Sequence, residues 1–134
     1  MTSPRTLRNF IGGAYADSGD AATSDVVNPA TGQVVAQAPV SGAEEVDAAY
    51  AAADRAFGEW GRTTPSERQQ ALLKIADAIE EHAEELISLE SENTGKIKAL
   101  TASEEIPPMV DQLRFFAGAA RTRVAAVQSC PALK

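Results

Sequence analysis

Three long stretches with apolar residues spaced three and four apart dominate this sequence. They follow two short strand pairs that are too small to cover them. The first stretch carries Val46, Ala49, Tyr50, Ala53, Ala56, Phe57 and Trp60. The second carries Leu72, Ile75, Ile79, Ala83, Leu86 and Leu89, and the third Met109, Leu113, Phe116, Ala117 and Ala120. Such spacing places each set on one face of a helix. Two hairpins cannot bury three such faces, so several faces need a partner beyond these residues.

The helix starts are written in capping residues. SGAE, Ser41 to Glu44, predicts a capping box: the serine oxygen accepts an orphan amide and the glutamate reaches back. TPSE, Thr64 to Glu67, predicts a second, with Pro65 at the first helical position where its missing N–H costs nothing. Gly95 is expected to end the second helix. Ile106-Pro107-Pro108 predicts a break and restart, because each proline disfavours helix at the residue before it.

Upstream, Phe10-Ile11, Gly12-Gly13 and Ala14-Tyr15-Ala16 predict a tight hairpin, with the glycines supplying positive φ. A second pair runs from Ser24 to Val27, through the NPATG turn, and on from Gln33 to Ala38. Val26-Val27 and Val34-Val35 are β-branched, as strands prefer. The expected fold class is an α-rich α+β arrangement: β-hairpins first, then three or four helices. Low aromatic content (5%) with abundant alanine predicts close packing through small side chains.

With 134 residues the chain suits one domain. Its net charge of −7 argues against nucleic acid and against anionic membranes. Glu80, Glu81, Glu84, Glu85, Glu90 and Glu92 read as the solvated face of a helix. One cysteine forms no internal disulfide, and MTSPRTLRNF has no apolar core of a secretory signal. A cytoplasmic location is the expectation.

Catalytic candidates are few. Cys130 has only Lys134 near it in sequence, and a thiol needs a cation, helix N-terminus or base to ionise at neutral pH. A small enzyme built on it is the weakest reading. His82 is the single histidine and reads as a surface residue of the second helix. Glu104 and Glu105 suit the start of a helix. Phe57 and Trp60 read as core. No residue is assigned as catalytic, cofactor-binding or metal-binding.

The order of signals resembles the opening of an aldehyde dehydrogenase. FIGG, then NPATGQVVAQAPVSGAEEVDAAYAAADRAFGEWGRTTPSERQQALLKIADAIEEHAEELISLESENTGK, then EIPPMVDQLRFFAGAAR carry the likeness over residues 8–123. TTPSER and EIPPMVDQLRFFAGAAR point to the aminobutyraldehyde and betaine-aldehyde branch. The resemblance implies NAD(P)-dependent oxidation of an aldehyde by a cysteine thiolate. It also implies a glutamate base and an oxyanion site made by an asparagine and a backbone amide. In the family those groups lie beyond the matching region, as does the dinucleotide cradle; no G-x-G-x-x-G stands here.

Residues 1–123 are therefore expected to be a partial cofactor-domain region, and 124–134 a divergent tail, read as a truncation or frameshift. The family often has proline where Ile97 stands and, in cation-binding members, aspartate where Asn93 stands. With Asn93 there, backbone oxygens near Val27 are not expected to close a cation site. By this reading the chain alone binds no cofactor, is inactive, and is partly helical and aggregation-prone. NAD or NADP is implied only for the full-length family. The alternative is a helical interaction module that associates with the missing part or with full-length subunits.

Overall fold

The computed structural model of the chain describes residues 4–16 and 22–122. It is an α-rich α+β structure with strands first and helices after. It divides into two compact units, Met1–Arg62 with Leu89–Lys96, and Thr63–Ser88 with Ile97–Lys134.

In the first unit, β2 (Asn9–Ile11) and β3 (Ala14–Ala16) pair antiparallel across Gly12 and Gly13. Both glycines have positive φ, 62° and 84°, which a two-residue hairpin turn of this hand requires. β4 (Thr23–Val27) pairs antiparallel with β5 (Val34–Pro39) across the NPATG turn, with a register shift at Val26/Val27. Asn28 holds that turn: its Oδ1 accepts from the Ala30 N–H at 2.9 Å and its carbonyl from the Gly32 N–H at 2.8 Å. The sequence reading missed β1 (Arg5–Thr6), which adds parallel to β5 and makes a three-stranded sheet of order β1-β5-β4. Two residues carry no readable period, and their partner lies some thirty positions away.

Helix α1 (Ala43–Trp60) begins one residue later than SGAE predicts. Its N-cap is Gly42, whose N–H donates to the Glu45 carboxylate at 2.8 Å. The Ser41 hydroxyl instead accepts from Asn9 Nδ2 at 2.8 Å. Consecutive glutamates at 44 and 45 allow either register, and the contact with β2 selects one.

The second unit contains α2 (Pro65–Glu81) and α5 (Ile106–Ala119), packed on each other. TPSE behaves as predicted: Thr64 is the N-cap, its Oγ1 accepts from the Glu67 N–H, and Glu67 Oε2 accepts from the Thr64 N–H at 2.6 Å. Ala76, Ile106 and Val110 form the core, with Ile79, Ala83, Ile87 and Leu113 against it. Ala76 and Ala117 have no exposed surface at all, which is the packing through small side chains that the composition predicts.

Three expectations need correction here. The long second helix does not run unbroken to Gly95. It is interrupted at His82 (φ −102°, ψ 18°), and α3 (Ala83–Thr94) follows. The inward stripes hold only in part: Ile79, Ala83, Leu113 and Ala117 do face inward. Ile75, Leu86 and Leu89 are exposed while Ala76 is buried, and Met109 and Phe116 are exposed while Ile106 and Val110 are buried. Both helices carry apolar residues on adjacent faces, so pattern alone does not say which face the neighbour covers. Finally, the chain does not break at Ile106-Pro107-Pro108. A short helical turn, α4 (Lys98–Leu100), leads through a π-helical segment, Thr101–Glu105, directly into α5, and Ile106 is itself helical (φ −60°, ψ −50°).

Candidate functional site

The feature with functional content among the described residues is exposed apolar surface. In the first unit α1 buries no residue, and its stripe is open: Val46, Tyr50, Phe57 and Trp60 are exposed, Tyr50 to 75%. On the hairpin, Phe10 and Tyr15 stack edge to face with centroids 5.2 Å apart, and the Arg8 guanidinium lies 4.9 Å from the Tyr15 ring. In the second unit Phe115 and Phe116 make a second edge-to-face pair at 5.4 Å on the outer side of α5, both largely exposed. Soluble monomers rarely leave contiguous apolar surface open unless something docks there. Phe57 and Trp60 are thus not core within the described residues, contrary to the sequence reading.

The first unit also holds a shallow depression of about 240 Å³ lined by Asn9, Phe10, Ile11, Ser41, Glu45, Val46 and Ala49. This is smaller than the roughly 300 Å³ at which ligand pockets begin. Its lining has no cation to meet a pyrophosphate; Asn9 donates to Ser41, and Glu45 accepts from the Gly42 N–H. The residues lining this depression therefore do not fit a dinucleotide.

The individual candidates are dispersed. His82 sits at the exposed interruption between α2 and α3, with Nδ1 3.7 Å from Glu85 Oε2. Glu104 and Glu105 close the π segment, Glu105 being the N-cap of α5, and Glu104 accepts from the Ser103 hydroxyl at 3.3 Å. Asn93 is exposed near the end of α3, Val27 is the last residue of β4, and Ile97 is the N-cap of α4. Cys130 and the 124–134 tail lie outside the described residues. Among the described residues no three His, Cys, Asp or Glu side chains come together as a metal site.

The acidic helix face is solvated and partly paired. Glu90 meets Lys96 Nζ at 3.0 Å and Glu92 meets Arg5 at 3.1 Å. The sequence reading missed Arg114, which reaches from α5 to Asp77 (3.0 Å) and to both carboxylate oxygens of Glu80 on α2. These contacts hold its pKa above the ordinary arginine value, Glu80 contributing most. An arginine opposite two acids three residues apart signals a clamp once the helix pair is known; the sequence does not say which helices pair.

The aldehyde dehydrogenase family model matches residues 15–132. The chain is 41% identical over 111 residues to the 2-aminomuconic semialdehyde dehydrogenase of Bos taurus, covering 83% of this chain and 22% of that protein. Among solved structures it resembles PnpE in complex with nicotinamide adenine dinucleotide, at TM-score 0.81 and 38% identity, over 86% of this chain and 24% of that one. It also resembles lactaldehyde dehydrogenase from Escherichia coli, at TM-score 0.82 and 36% identity, over 88% and 24%. The chain thus spans about a quarter or less of the length of these relatives. Nearly the whole chain is matched in both sequence and fold, and it belongs to the aldehyde dehydrogenase family.

Proposed function

We propose that residues 1–123 are the N-terminal part of the cofactor domain of an NAD(P)-dependent dehydrogenase that oxidises aldehydes to carboxylic acids in the cytoplasm. The 2-aminomuconic and malonate semialdehyde dehydrogenases among its relatives favour aldehydes bearing a second polar group, and aminoaldehydes fall in that class. These residues alone do not turn over substrate. In the full-length family the thiolate, the water-activating glutamate and the dinucleotide cradle are supplied from further along the chain. The role of this part is to dock, on the remainder of the enzyme or on full-length subunits.

One observation carries this reading: the open apolar face of α1 in a segment whose sequence runs collinear with the family. A face of Val46, Tyr50 and Phe57 is costly in water and gains on burial, at about 1.5–3 kcal/mol per fully buried large side chain. The test is to co-express residues 1–134 with the complementary part of a relative. Complex formation is followed by co-purification, and NADH formation is followed with a semialdehyde and with an aminoaldehyde. The expected outcome is a stable complex, with turnover only in the complex. Turnover by residues 1–134 alone that survives repurification, or failure to associate with the complement, would refute it.

A further inference from the structure

We propose that Thr101–Glu105 is a one-residue phase corrector, stabilised by Pro107 and Pro108, which keeps two inward-facing positions of one continuous helical run in line. Thr101 and Ile106 are both buried, with 3% and 9% of their surface exposed. They are five residues apart. At about 100° per residue, five residues of regular α-helix would leave them roughly 140° apart around the axis. Glu105, not Ile106, would then lie beneath Thr101. The wider turn closes the gap: the Ile106 N–H bonds to the Thr101 carbonyl across five residues. Beyond Ile106 the inward positions resume ordinary helical spacing at Val110, Leu113 and Ala117.

The prolines supply the second observation. In a regular helix through this region the ring of Pro107 would press on the Ser103 carbonyl and that of Pro108 on the Glu104 carbonyl. An interior proline costs about 3 kcal/mol or more. A π turn widens the backbone there and shifts the acceptors by one residue. The carbonyls left without amide partners then belong to Ala102, Ser103 and Glu104, which are solvent-exposed, as are both prolines. The prolines therefore penalise the regular helix more than the π form, and the π form keeps Ile106 in the core and Phe115 and Phe116 outside.

Deleting Ala102 restores four-residue spacing between Thr101 and Ile106 but forces the prolines into a regular helix. The experiment is amide hydrogen exchange, read by mass spectrometry on peptides spanning residues 98–119 of the full chain. It compares the parent, the Ala102 deletion, and the deletion combined with Pro107→Ala and Pro108→Ala. The deletion alone is expected to speed exchange on the order of 100-fold. The proline replacements are expected to restore protection to within a few-fold of the parent. The idea is overturned if the deletion leaves exchange unchanged, if the loss persists after both prolines are replaced, or if the parent shows no protection there.

Discussion

Gly95 offers a quantitative test of how the first unit is held together. Its φ is 76°, and a Cβ built there would lie 2.9 Å from Pro29 Cγ. Two penalties follow from Gly95→Ala. The left-handed backbone costs an alanine about 1 kcal/mol more than glycine. The methyl must also displace a proline ring, which cannot swing aside like a long side chain. That ring belongs to a turn fixed by the Asn28 hydrogen bonds. The neighbour would have to retreat by several tenths of an ångström, adding about 1–2 kcal/mol. The sum is about 2–3 kcal/mol, or roughly 30- to 150-fold in a local opening equilibrium. Gly13→Ala is the matched control: its φ is 84°, but no atom lies within 4 Å of the added carbon. It should cost only the backbone share, roughly five-fold. Amide exchange of peptides covering residues 28–34, 89–96 and 9–16 reads both effects locally. Replacing Pro29 by alanine in the Gly95→Ala background should recover the steric share and leave the backbone share. If Gly95→Ala costs no more than Gly13→Ala, the contact between the NPATG turn and the end of α3 does not contribute and the reasoning fails.

Glu67 gives a pH dependence with a definite sign. The Thr64 amide, and after it the Thr64 hydroxyl, hold its carboxyl below the usual carboxylate range. A depressed folded-state pKa stabilises fully above the unfolded value, about 4.3, and the benefit is lost as pH falls through the folded value. Exchange at the first turn of α2 should therefore quicken, relative to its intrinsic rate, as pH drops below about 4. Glu67→Gln should flatten that profile; an unchanged profile would show that the capping box is not its source. Thr101→Val should leave stability unchanged or raise it, because the buried Thr101 hydroxyl finds no hydrogen-bond partner among the described residues. A loss above about 1 kcal/mol in urea unfolding of the chain, alone or complexed with its complement, would mean the hydroxyl has a partner.

Local chemistry was legible in the sequence wherever a few adjacent residues decide the outcome. Gly12-Gly13 must turn, Thr64-Pro65 with Glu67 must start a helix, and Gly95 must end one, because only those residues meet the backbone needs at those points. The presence of apolar faces was legible for the same reason, since spacing alone places residues on one side of a helix. The face that becomes buried was decided by tertiary structure. α2 carries both Ile75 and Ala76, and only the approach of α5 selects the alanine side. β1 depends on a partner far along the chain, and the start of α1 shifts by one because Asn9 occupies the Ser41 hydroxyl. The π segment is the clearest case. Proline's local preference argues for a break at Ile106, yet burying Thr101 and Ile106 together outweighs it, and the helix widens instead. No catalytic constellation was legible among these residues. What the sequence by itself determined was local backbone geometry and membership of a family, both carried by short-range patterns. Tertiary structure alone decided which surfaces are buried and which are left open, because that choice depends on contacts between residues far apart in the chain.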